Sequence, residues 1–140
     1  MPEKNYELIE HTADIGIRVK GKDLKSLFKN ASLAMFEILA EKKKAAGEKK
    51  KKINLKQKAD TLDELFVNWL NELLSLSAIK ELIFSDFQIK KINKNNLEAT
   101  LIGNAIKDYK VNTEIKAATY HELKLERIPY GWQAEVIFDV

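Results

Sequence analysis

Only two stretches of this chain carry apolar residues at helical spacing, and both are framed by segments in which apolar and polar residues alternate. Leu24, Leu27, Phe28, Ala31, Ala34, Met35 and Ile38 recur through about Leu39 at the intervals that gather side chains on one helix face. Asp23 precedes them as a helix N-cap. Leu62, Leu65, Phe66, Trp69, Leu73 and Leu76 form a second stripe running to about Ser77, and Thr61 and Glu64 have the spacing of a capping box. Asn71 and Glu72 lie outside this stripe; Asn71 reads as an ordinary surface residue, and Glu72 either as one or as a residue facing a site beside the helix. Outside the two stripes the period is two. Strands are expected at Tyr6 to His11, Ile15 to Lys20, Lys51 to Gln57, and Leu82 to Ile92 with a break at Ser85-Asp86. A returning strand carries Leu97, Ala99 and Leu101; another runs from Glu114 to Arg127, and the last carries Trp132, Ala134, Val136 and Phe138. Glu41 to Lys52 and Gly103 to Val111 read as polar connections. This order, ββαβα and then four strands, predicts an α+β fold with two helices packed on a mostly antiparallel β-sheet. With 140 residues and neither repeats nor linkers, a single domain over 1–140 is expected.

Composition removes several classes of chemistry. There is no cysteine, so disulfides, thiolate zinc sites and cysteine nucleophiles are excluded. With two histidines a His-rich zinc site is not expected, and a metal would be held mainly by oxygen, which favours Ca²⁺, Mg²⁺ or Mn²⁺. No apolar run approaches the ~20 residues that span a bilayer, and residues 1–5 lack the apolar stretch of a secretory signal. A cytoplasmic protein with no membrane partner is the expectation. The net charge is +3, and much of the positive charge lies between Lys42 and Lys58. Such a run serves as a solvated strand edge that resists aggregation, or as an electrostatic footprint for RNA or an acidic surface.

Asp14 stands between the first two expected strands, in the run His11-Thr12-Ala13-Asp14-Ile15-Gly16-Ile17. Asp139 stands beside the last residue, in Val136-Ile137-Phe138-Asp139-Val140. If these ends meet, Asp14, Asp139 and the terminal carboxylate form a cluster of oxygens that repels itself unless protonated or neutralised by a cation. Gly16 allows a bulge or a close backbone approach next to Asp14. A third stretch, Lys116-Ala117-Ala118-Thr119-Tyr120-His121, is read as continuous strand. Its alternation would put His121 on one face with Ile115, Leu123 and Leu125, as a hydrogen-bonded core residue, and leave Lys116 as a solvated edge charge or a reach to phosphate or carboxylate.

These three motifs, in their order along the chain and with one ending at Val140, resemble the hallmarks of the archease family over the whole chain. The resemblance implies an archease-like domain with no catalysis of its own. It implies a protein cofactor that activates an RtcB-type RNA ligase in tRNA splicing, promoting guanylylation of the ligase and multiple turnover and broadening its nucleotide use. tRNA would be met indirectly, through the ligase. It further implies a divalent cation, typically calcium, on Asp14, Asp139 and the oxygens of Val140. His11, Thr12, Lys116, His121 and Glu72 are then candidates for partner contact or for shaping the site. Two rival readings come from the residues themselves. One is an RNA-binding or chaperone-like module using the Lys-rich 42–58 region. The other is a small metal-dependent phosphoesterase using His11, Asp14, His121 and Asp139.

Overall fold

In a computed structural model, residues 6–9, 14–43 and 49–140 are described. In chain order the elements are β1 (Tyr6–Ile9), β2 (Ile15–Gly21), α1 (Leu24–Leu39), β3 (Ala40–Lys42), β4 (Lys51–Lys58), α2 (Leu62–Lys80), β5 (Leu82–Ile92), β6 (Asn96–Ala105), β7 (Tyr109–Val111), β8 (Ala117–Ile128) and β9 (Gly131–Asp139). A 3₁₀ turn, Ile106–Asp108, joins β6 to β7. The α+β class is as expected, but among the described residues the strands divide among three sheets rather than one. A four-stranded sheet runs β1-β2-β9-β8, a three-stranded sheet runs β4-β6-β5, and β3 pairs with β7. Every pairing is antiparallel.

Both helices begin where a side chain can accept an orphan N–H. Asp23 Oδ1 accepts from Ser26 N at 2.8 Å, and Thr61 Oγ1 accepts from Glu64 N at 3.1 Å. Helix α2 outruns the expected end at Ser77 by three residues, all of them exposed, Ile79 included. It stops at Glu81, which takes up a left-handed conformation and donates its N–H to Ser77 O. The expected polar connections hide two short strands. Ala40 is already extended where α1 ends, and β3 and β7, three residues each, are too brief for alternation to register. Similarly β6 continues through Gly103 to Ala105, where a Cβ on Gly103 would stand 2.8 Å from Ile83 O on the paired strand. The expected break at Ser85-Asp86 is a register shift in β5, between Phe84 and Asp86.

Helix α1 packs on β2 and β5, and α2 on β8, β5 and β4, so each helix touches both larger sheets. Ile17, Val19, Ala134, Val136 and Phe138 from one sheet and Phe87, Leu97, Ala99 and Leu101 from the other join the helix stripes in one core cluster. Trp69 is fully buried, and its Nε1 donates to Phe28 O at 3.2 Å, tying α2 to α1. Phe28 and Phe66 meet edge to face with centroids 5.1 Å apart, an arrangement favoured by the ring quadrupoles.

Candidate functional site

The two acidic motifs are brought together by strand pairing. β2 and β9 run antiparallel with Ile15 opposite Phe138, Ile17 opposite Val136 and Val19 opposite Ala134; Ile15 is half-buried and the other five belong to the core. One step beyond the Ile15–Phe138 pair, Asp14 stands across from Asp139. Asp14 is half-buried, whereas Asp139 and Val140 are exposed. The register passes without a shift through Gly16, which pairs with Ile9 and Ile137. A Cβ there would lie 3.2 Å from Ile9 Cβ, so Gly16 serves a close approach and not a bulge. His11 and Thr12 lie outside the described residues.

The third motif adjoins the same end. Lys116 N donates to Asp139 O at 2.8 Å, and Ala117 pairs with Asp139. Ala118 is gripped from the other side. Its N–H donates to Asn71 Oδ1 at 2.7 Å, and Asn71 Nδ2 donates to Ala118 O at 3.0 Å. β8 is an edge strand, and the Asn71 amide occupies the place that a further strand's peptide would take. Asn71 is therefore a half-buried clamp on the motif and not a surface residue. Glu72, next to it on α2, is half-buried, and it does not join Asp14 and Asp139 in a three-ligand cluster.

His121 is exposed, contrary to the core position that strict alternation assigns it. The cause is a break in the β8–β9 register between Thr119 and Lys124, with Glu122 in a left-handed backbone conformation at φ 52°. An irregularity of this kind re-aims the side chains that follow it. Thr119 anchors its start: Thr119 Oγ1 donates to Ile137 O at 2.9 Å and accepts from His121 N at 3.3 Å. Lys116 is exposed, as a solvated edge charge would be.

Further along the same sheet, a row of alternating charge crosses all four strands: Glu7, Arg18, Glu135 and Lys124 occupy paired positions. Arg18 donates from Nε and Nη2 to Glu135 Oε1 at 2.9 and 2.6 Å, and from Nη1 to Glu7 Oε2 at 2.9 Å. The Arg18 hydrogen bond holds the Glu135 carboxyl below the ordinary glutamate range, and burial works against it. Single alternating strands gave no sign of this row, because it exists only once the register is known.

The chain matches the model of the Archease protein family (MTH1598/TM1083) over residues 6–140. The chain belongs to the archease family. It is 37% identical over 143 aligned positions to the protein archease of Methanosarcina barkeri, covering 98% of this chain and 97% of that protein. It is 36% identical to the protein archease of Pyrococcus furiosus, covering 98% and 99% of the two chains. Among solved structures, the fold is similar to the solution structure of Methanobacterium thermoautotrophicum protein 1598, with a TM-score of 0.77 and 30% identity over 99% of this chain and all of that one. It is also similar to the crystal structure of an archease, possible chaperone (TM1083), from Thermotoga maritima, with a TM-score of 0.68 and 27% identity over 94% of each chain.

Among the described residues, the candidate donors at the archease acidic end are oxygens. Asp14 and Asp139 supply two carboxylates, and among the described residues no third His, Cys, Asp or Glu completes a cluster with them. Two carboxylates suit a hard cation that takes its remaining ligands from backbone carbonyls and water, and they are too few for a closed all-protein cage. Among the described residues no helix is long and apolar enough to cross a membrane.

Proposed function

We propose that this archease is a non-catalytic protein cofactor of an RtcB-type RNA ligase in tRNA splicing. It promotes guanylylation and multiple turnover of the ligase, broadens its nucleotide use, and meets the tRNA being joined indirectly, through the ligase. The reading draws on family membership. The structural observation that best supports it is the β2–β9 register, which sets Asp14 beside Asp139 at an exposed sheet end. Asp14, Asp139 and the oxygens of Val140 would hold a divalent cation, Ca²⁺ by family resemblance, with Mg²⁺ or Mn²⁺ as the alternatives that oxygen ligands also suit. When bound, such an ion supplies positive charge that stabilises phosphoryl oxygens during nucleotidyl transfer.

The protein's own part is positional. Asn71 and Lys116 N fix the start of β8 against Asp139, and Lys116 and His121 project from that strand as exposed side chains able to contact a partner. His11 and Thr12 flank Asp14 in sequence and belong to the same proposed contact region. The description of the Thermotoga maritima relative as a possible chaperone is compatible with acting on another protein's conformation. A ligand that binds the competent state of its target more tightly shifts the population towards it. The work of this chain would take place in the cytoplasm.

Single-turnover guanylylation of the RtcB-type ligase from the same source tests the reading, with wild type, Asp14→Ala and Asp139→Ala, each checked for fold by circular dichroism. Wild type should stimulate and both folded variants should not. Stimulation by all three would keep the partner and remove the acidic site. No stimulation by wild type would refute the activator reading.

A further inference from the structure

The three-stranded sheet presents to solvent a face that the acidic site does not use. Its inner face, with Leu55, Leu97, Ala99, Leu101 and Phe87, joins the core. The outward positions are read across the strands: Lys58 pairs with Asn96, Lys56 with Glu98 and Glu98 with Lys91, Asn54 with Thr100 and Thr100 with Gln88, and Lys52 with Ile102 and Ile102 with Asp86, whose carboxylate is paired with Lys29 at 3.4 Å. Residues 49–58 hold six lysines and no acid. Lys52, Lys56, Lys58 and Lys91 are exposed, and among the described residues none of them is in an ion pair. Lys56 and Lys58 are about 7 Å apart along one strand, and Lys91 lies about 10 Å from Lys56 across two strand spacings. The single acid between them, Glu98, leaves this row a net cation.

We propose that this face binds the sugar-phosphate backbone of double-stranded RNA. Three features select that occupant. A protein interface needs an apolar or aromatic centre, and the one large aliphatic at these positions, Ile102, is only 9% exposed. Single-strand binding relies on aromatic platforms for stacked bases, and no aromatic occupies this face. B-form DNA is read by a helix or ribbon inserted in its major groove, whereas the A-form minor groove is wide, shallow and lined with 2′-hydroxyls that a flat polar surface can meet. Asn54 and Gln88 bring amide donors and acceptors to that surface, with Asn54 Oδ1 already steadied by Thr100 Oγ1 at 2.9 Å. The inference does not rest on the ligase reading.

The test is fluorescence anisotropy of the full chain with a labelled RNA hairpin at low salt. The combined variant Lys56→Gln, Lys58→Gln, Lys91→Gln is compared with Lys22→Gln, Lys25→Gln, Lys80→Gln, which removes the same charge from exposed positions elsewhere. Thermal melts check that both fold, and Lys91→Gln alone serves if the triple variant does not. The sheet variant should lose on the order of tenfold or more in affinity, and its log–log salt slope should flatten by about 2–3, near 0.9 per lost phosphate contact. The control variant should stay close to wild type. Equal weakening in both variants would reduce the effect to net charge and overturn the proposal. So would absence of binding by wild type, or binding as tight to a DNA hairpin, an unstructured RNA strand or polyglutamate.

Discussion

Replacing Asn71 by Ala removes two hydrogen bonds to one peptide unit of β8, at 2.7 and 3.0 Å, and leaves Ala118 N–H and C=O to find water at a half-buried edge. Each such bond contributes about 0.5–1.5 kcal/mol net. Alanine regains about 0.6 kcal/mol of helix propensity. The expected loss is therefore about 1.4 kcal/mol, against the ±0.5 kcal/mol typical of an ordinary surface substitution. For a chain of this size that is a fall of roughly 4–6 °C in Tm. Urea and thermal unfolding measure the loss, and amide hydrogen exchange locates it. The Ala118 amide should exchange faster in the variant, while amides of the core strand β6 change only with global stability. Asn71→Asp sharpens the test. It keeps the acceptor for Ala118 N–H but sets a carboxylate oxygen where Nδ2 met Ala118 O, so it should cost at least as much as Ala. An Asn71→Ala variant within about 0.5 kcal/mol of wild type, with unchanged exchange at Ala118, would refute the clamp.

The Arg18–Glu135 pair gives stability a pH dependence of known sign. The Glu135 carboxyl is held low in the folded state, so its contribution is complete above the ordinary glutamate value of about 4.3 and is lost as pH falls through the lower folded value. The difference in urea midpoint between wild type and Glu135→Gln should accordingly be larger at neutral pH than in acid, and a gap that stays constant would rule the pairing out as its source. Asp23→Ala should cost about 1 kcal/mol by removing the α1 cap, and Asp23→Asn much less, as read by chemical denaturation. Gly131 adopts φ +151°, and a Cβ there would stand 2.2 Å from Gly21 O. Gly131→Ala should therefore cost about 2–3 kcal/mol, combining strain and a backbone clash, and a melt equal to wild type would contradict that geometry.

What the chain discloses before folding follows the reach of each signal. The α1 and α2 stripes persist for several turns, so helical period marks them plainly, and Asp23 and Thr61 sit where local chemistry needs a cap. The exposed last turn of α2 and the three-residue strands β3 and β7 fall below that reach. His121 was misplaced because alternation assumes an unbroken strand, and the left-handed Glu122 interrupts it. Asn71 carries no local mark at all, since its partner lies 47 residues away. The acidic pair is a different case, because its proximity follows from burial. Ile17 and Val19 must meet Val136 and Ala134 for both strands to cover the helices. A slip of one residue would turn one strand's apolar set to solvent and would set Asp14 against Phe138 or Val140. The same apolar register that holds β2 to β9 therefore holds Asp14 to Asp139, so a change that loosens this part of the core should disturb the acidic end without touching either carboxylate.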